Sequence, residues 1–315
     1  MKLVYHPHFL FGSRMLNCFH PFEFNRAELA LKRVEENFGS KLEGRVLRPT
    51  APLTFEELAF VHDVEYLKSL ERNLPVTQVI EVPWLSVFPR SCIENWFVDP
   101  ALWSVAGSLL AARTALEEGG CLSLGGGFHH AKRTGGEGFC LFSDIAFVIE
   151  TLRGEGALSA EDGILYVDLD VHQGNGVSVD YQDDRAVKIL DCYNRSTYPV
   201  WGGEPQGRVD VPIPVYPRTG DSDYLSAVEL GLEKLEDLSP GCRLLIYNAG
   251  TDVYQDDKLG GLRLTREGVN RRDLRVLEFA KKLNLPILAL ASGGYSTMSA
   301  TLLADFATAV LHSKD

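Results

Sequence analysis

The sequence predicts an α/β fold built on a central, mostly parallel sheet. Three observations carry that reading. Short apolar runs recur and alternate only weakly, as strands covered on both faces do. Stretches with helical spacing separate them, which is the mark of βαβ units. Four of the runs end in glycine plus a reactive side chain, and open α/β sheets bind ligands beyond the carboxyl ends of their strands.

The elements follow in order. The run Lys2–Tyr5 opens the chain, and helical spacing covers about Asn25–Asn37. A second helix is expected over Phe55–Glu71, because Thr54 followed by Glu57 is a capping box. Asn73–Pro100 holds Pro75, Pro83, Pro89 and Pro100 with Trp84 and Trp96, and reads as an ordered excursion. The helix Pro100–Glu118 leads into the strand Cys121–Leu124. Ile145–Gly154 is helical and precedes the strands Ile164–Leu169 and Ala186–Leu190. Asp223–Leu238, with Ser222 or Asp223 as N-cap, precedes the strand Arg243–Tyr247. Thr265–Leu283, with Thr265 as N-cap, precedes Pro286–Ala291, and the helix Ser296–Leu311 follows. With no repeat, low-complexity tract or linker, one domain over 1–315 is expected.

Composition narrows the function. The 315 residues are 45% hydrophobic and 23% charged, ordinary globular usage. A net charge of -12 argues against a nucleic-acid partner, which needs clustered Lys and Arg, and suits a cationic substrate such as a basic peptide or polyamine. The six cysteines, at 18, 92, 121, 140, 192 and 242, form no C-x-x-C pair, so a reducing, cytoplasmic setting is expected. The start, MKLVYHPHFL, lacks the apolar core of a signal peptide, and no apolar run is long enough to span a membrane.

The chemistry sits at the four strand ends: GGGFHH, DVHQGNG, NAGTD and SGGY. Asp170 and His172 share one strand face in YVDLDVHQGNG, and Asp252 ends another strand. Two oxygens and one nitrogen leave an open position on a metal, as catalytic zinc sites do. Each residue alone could instead cap a turn or pair in the core. His129 and His130 follow Gly125, Gly126 and Gly127; adjacent side chains diverge on a strand, so proton transfer suits them better than shared ligation. Tyr295, beside a diglycine, could donate to a developing oxyanion. Together these residues are a kit for metal-assisted hydrolysis of an amide.

GGGFHHA, YVDLDVHQGNG, AGTDVYQDDKLGGL and ASGGY, in this order, resemble the zinc-dependent histone deacetylase family and its acetylpolyamine amidohydrolase relatives, with HPFEFNR and FVHDVEYL also familial. GTD followed by DKLGGL, and SGGY, look most like the class IV, histone deacetylase 11-like branch. The resemblance implies a three-layer arginase/deacetylase fold with about eight strands. It implies a catalytic metal, Zn2+ or Fe2+, on Asp170, His172 and Asp252, and a structural K+ at the Asp168–His172 loop. His130 aligns with the general base, His129 with its companion, Tyr295 with the carbonyl-polarising tyrosine, and Asp168 with the residue that orients His129. Gly138, Phe139, Tyr198 and Gly294 align with the substrate channel. Asn175 replaces an Asp beside His130, a neutral partner that leaves the imidazole neutral. The rim aspartate of class I members has no match; Glu94 and Asp99 lie in its region.

The implied reaction removes acetyl or longer acyl groups from lysine side chains, polyamines or related amines. Two rivals remain. A two-metal ureohydrolase needs further carboxylates, yet Gly174 and Tyr254 stand two residues after His172 and Asp252. A non-catalytic acyl-lysine binder would lack a ligand, base or tyrosine, and none is missing.

Overall fold

The computed structural model describes residues 1–12 and 23–313. Cys18 and the first residues of HPFEFNR lie outside the described residues. Eight strands form one sheet: β1 (Lys2–Val4), β2 (Val46–Leu47), β3 (Gly120–Ser123), β4 (Gly163–Asp168), β5 (Val187–Asn194), β6 (Val211–Val215), β7 (Cys242–Asn248) and β8 (Ile287–Leu290). Every pairing is parallel, in the order β2-β1-β3-β8-β7-β4-β5-β6. All residues of β3, β4 and β8 are buried, which explains their weak alternation.

The α-helices among the described residues are α1 (Arg26–Phe38), α2 (Phe55–Leu58), α3 (Val64–Ser69), α4 (Asn73–Val79), α5 (Arg90–Ile93), α6 (Asp99–Glu118), α7 (Asp144–Gly154), α8 (Asn175–Asp180), α9 (Asp221–Glu236), α10 (Arg266–Lys282) and α11 (Ser299–His312). α6 packs on β1, β3 and β8 and against α7. α9 packs on β5 and β6 and against α10, which meets α11; α11 in turn packs on β1 and β3 and against α1. The sheet is thus the middle layer between helices.

Several elements differ from the sequence expectation, the short helices α4, α5 and α8 among them. β2 and β6 are additional edge strands. β2 is only two residues long, and β6 reads VPIPV, where proline is tolerated because an edge strand need not donate on its outer side. The expected helix Phe55–Glu71 is two short helices. Its start keeps the capping box, with Thr54 Oγ1 accepting from the Glu57 N–H and Glu57 reaching back to the Thr54 N–H. The break between α2 and α3 seats His62, which is 2% exposed.

His62 is locked in one neutral form. Its Nε2 accepts the Ser143 N–H at 2.9 Å, so Nδ1 carries the proton toward the Arg133 carbonyl at 3.2 Å. Burial pushes its pKa from 6.5 down to about 4. Between those values the unfolded chain binds a proton that the folded chain does not, so this stability is present above pH 6.5 and lost as pH falls toward 4. At 1.36 kcal/mol per unit the loss is about 3 kcal/mol. Thermal unfolding should therefore drop from pH 7.5 to pH 5, and drop less in His62→Gln. An unchanged pH slope in that variant would place the loss elsewhere.

Candidate metal and catalytic site

The strands whose ends carry reactive residues are immediate neighbours in the sheet, in the order β3-β8-β7-β4. That adjacency brings together residues far apart in the chain. His129 and His130 follow β3, Asp170 and His172 follow β4, Asp252 follows β7, and Tyr295 follows β8.

Asp170, His172 and Asp252 are buried, and one ligand atom from each lies within 4.8 Å of the others. His172 Nδ1 stands 3.1 Å from Asp170 Oδ1 and 3.2 Å from Asp252 Oδ2. Burial opposes charge on His172, but its hydrogen bonds to the two carboxylates outweigh it and lift its pKa to about 10. Burial likewise opposes ionisation of Asp170, yet His129 and His172 hold that carboxyl well below its ordinary range. Burial and the Asp170 charge raise Asp252. A proton on His172 thus offsets one of the two carboxylates, and a divalent cation would offset both with the same three atoms. The donor set, two carboxylates and one imidazole, fits such an ion.

The adjacent histidines have opposite environments. His129 Nδ1 donates to Asp168 Oδ2 at 2.8 Å. Burial opposes its charge, but Asp168 and Asp170 win and raise it to about 9, so it is protonated at neutral pH. His130 Nδ1 lies 2.7 Å from Asn175 Oδ1. Burial, His129 and His172 hold it well below its ordinary value, so it is neutral. Asp168 also accepts from the Tyr166 hydroxyl at 2.6 Å, the Asp170 N–H at 3.1 Å and Asn248 Nδ2 at 3.1 Å.

Tyr295 closes the site, its ring centroid 6.2 Å from that of His172 and 5.9 Å from that of Phe139. Burial and the charges of Asp170 and Asp252 push the phenol far up, so it keeps its proton. Its backbone N–H donates to Asp257 Oδ2 at 2.6 Å.

Glycine is required where β3 meets this cluster. Gly127 has φ 83°, and a Cβ there would lie 2.7 Å from the Ser292 Cα. The Gly127 and Phe128 N–H groups each donate at 2.8 Å to Asp144, fixing the turn that delivers both histidines.

A cavity opens against these groups. Its walls include Phe9, Phe11, Phe24, Ile80, Phe97 and Phe139, with His129, His130 and Tyr295 at its polar end. Gly138 and Phe139 line it as expected for a channel wall. The Tyr198 ring sits edge-on to His130 at 5.1 Å and lines a neighbouring groove with Glu81 and Glu137. Gly294 does not line the cavity: its Cα faces Thr251, Ser299 and Arg26, and Gly293 takes the lining position.

Of the two acids considered for the rim, Glu94 pairs with Arg90 at 2.8 Å and Asp99 lies 3.9 Å from His8. The groove acids are Glu81 and Glu137; the first lies in a turn where a lone Glu before Val-Pro gave no signal. The sequence reading also passed over Asp257, which holds the Tyr295 backbone, and Glu137, which meets Asn175. DKLGGL marked the neighbourhood of the first and GGEGFC that of the second, where only Gly138 and Phe139 were singled out.

Comparisons with known proteins give a family and a fold. The family profile described as the histone deacetylase domain matches residues 20–311. The chain is 33% identical over 307 residues to "Histone deacetylase 2" of Arabidopsis thaliana, covering 97% of this chain and 77% of that protein. It is 34% identical over 243 residues to an uncharacterized protein of Picosynechococcus sp., covering 76% and 75%. Among solved structures, the HDA15 HD domain superposes with a TM-score of 0.75 at 21% identity, covering 98% of this chain and 88% of that one. Acetylpolyamine aminohydrolase from Burkholderia pseudomallei gives 0.74 at 20%, covering 99% and 98%. At those identities the two structures speak for the fold.

Proposed function

This chain belongs to the histone deacetylase family, and from that premise we propose a metal-dependent hydrolase that removes acetyl or longer acyl groups from amines. The observation that carries the reading is the meeting of Asp170, His172 and Asp252 beside His130 and Tyr295, which line an aromatic cavity. These three residues would hold the catalytic ion, Zn2+ in our reading with Fe2+ as the alternative, which when bound supplies Lewis acidity and an acidified water.

The chain's own groups do the rest. Neutral His130 accepts a proton from the attacking water at Nε2 while Asn175 holds Nδ1. The Tyr295 hydroxyl donates to the oxygen on which charge develops. His129, held as a cation by Asp168, adds positive charge beside that oxygen, and the proton passes to the departing amine from His130 or His129. Gly138, Phe139 and Tyr198 form the wall along which an acyl-lysine or acyl-polyamine arm enters.

A structural K+ at the Asp168–His172 loop belongs to the same reading. Buried Asp191 supports it: its Oδ2 accepts the Gly174 N–H at 2.9 Å, while its Oδ1 has no hydrogen-bond partner.

The test is a panel of acetyl- and long-acyl-lysine peptides and acetylated polyamines, with metal-reconstituted protein. Turnover should vanish with a chelator and return with the ion. Tyr295→Phe should lower kcat by about 10²-fold, the scale of one lost oxyanion donor. Undiminished turnover by chelated protein would end this reading, and wild-type kcat in Tyr295→Phe would remove the phenol from it.

A further inference from the structure

We infer that Glu137 is a positioning residue for the base: it holds the Asn175 side-chain amide in the one orientation that leaves His130 with a bare Nε2. The inference rests on the reading of His130 as general base.

The 2.7 Å contact between His130 Nδ1 and Asn175 does not by itself fix a tautomer. A flipped amide would offer an N–H to Nδ1 and drive the imidazole proton onto Nε2, where it would block proton abstraction. The far end of the amide decides. Asn175 Nδ2 faces two acceptors, Glu137 Oε1 and, at 3.3 Å, Gln206 Oε1. The Gln206 amide can turn over; a carboxylate can only accept. Glu137 is therefore the acceptor that cannot be inverted. It forces N–H toward itself, Oδ1 toward His130, and the proton onto Nδ1.

Glu137 is itself held. Lys132 Nζ donates to Oε1 at 2.8 Å, and the Tyr198 hydroxyl bonds the same carboxylate. The loop between them is a tight reversal, with Lys132 N–H on the Gly135 carbonyl at 2.8 Å and Cys140 N–H on the Glu137 carbonyl at 2.9 Å. Half-burial opposes ionisation, but the Lys132 and Asn175 hydrogen bonds outweigh it and keep the carboxyl below its ordinary range. Reach and acceptor character, rather than net charge, are what the amide requires.

Three variants separate these properties. Glu137→Ala removes the acceptor. Glu137→Asp keeps the charge but shortens the reach. Glu137→Gln keeps the reach and an oxygen, which Lys132, a donor only, would turn inward. With an acyl-lysine peptide, the Ala and Asp variants should lose kcat by about 10-fold with KM changing far less, the scale of a lost partner to an active-site ligand, while Gln stays within about threefold. The second readout needs no metal and no turnover. Long-range 1H–15N imidazole spectra of metal-free protein, with His130 assigned by its loss in His130→Ala, should show the Nδ1–H tautomer in wild type and the Gln variant. They should show loss of that single form in the Ala and Asp variants. An Nε2–H tautomer in wild type overturns the inference. So does an unchanged tautomer in both Ala and Asp variants, or a Gln variant slower than Asp. If wild type turned over no acylated amine, the proposed function would fail, and the spectra would still decide this point.

Discussion

His130→Ala is expected to lower kcat by about 10³-fold, within the span that general acid–base catalysis supplies. The argument is geometric first. His130 is 4% exposed, its ring lies 5.8 Å from that of His172, and its Nδ1 is occupied by Asn175. Only Nε2 is free to take a proton. Electrostatics then decides between the two histidines. Burial and two neighbouring imidazoles keep His130 neutral, whereas Asp168 keeps His129 charged. A base must arrive without a proton, so the neutral member serves. Because His130 is not one of the three ligands, metal content should stay at the wild-type value while kcat falls and KM moves little. His129→Ala should behave differently. It leaves the buried Asp168 carboxylate with neutral donors only, so it should cost melting temperature as well as rate. Steady-state kinetics, metal analysis and melting on the two variants check this. Equal rate losses with equal melting shifts would sink the division of roles.

The legible part of this protein is the part written within single strands. Each of β3, β4, β7 and β8 ends in glycine plus a reactive group within a few residues, so the ligand and histidine positions stood out locally. That these four strands are neighbours was not local information; it follows from β7 and β8 returning late in the chain to fill the middle of the sheet. The misses have the same origin. His62 breaks the expected Phe55–Glu71 helix because Ser143 and Arg133, seventy or more residues away, bind both of its nitrogens. β6 hid behind its prolines. Glu137 sits in TGGEGF, a polar turn by any local standard, and becomes informative only where Asn175 and Tyr198 arrive from other loops. Glu94 and Asp99 drew attention by position, but Glu94 pairs with Arg90 and Asp99 lies 3.9 Å from the His8 ring.

Gly293→Ala is expected to empty the metal site, and it tests the meeting of the carboxylates more sharply than removing either one. Gly293 follows β8, where its N–H donates to Asp170 Oδ2 at 2.9 Å and its carbonyl accepts the Thr251 N–H at 2.9 Å. A Cβ on it would strike both Asp170 Oδ2 and Asp252 Oδ2, closer than real Cβ contacts come. Neither acid can step aside. Asp170 Oδ1 holds the His172 N–H at 3.0 Å, its Oδ2 holds the Ser292 hydroxyl at 2.9 Å, and Asp252 Oδ1 holds the Val171 N–H at 2.9 Å. One methyl group must therefore displace a ligand or the end of β8. Displacement by about 1 Å suffices to cost about 10²-fold in rate, so kcat/KM should fall at least that far, with metal per chain falling in step. Gly135→Ala is the matched control, since nothing lies within 4 Å of a Cβ there. It should bind metal and turn over like wild type. A Gly293→Ala protein with a full metal complement and wild-type turnover would mean that the ion does not sit between residues 170 and 252.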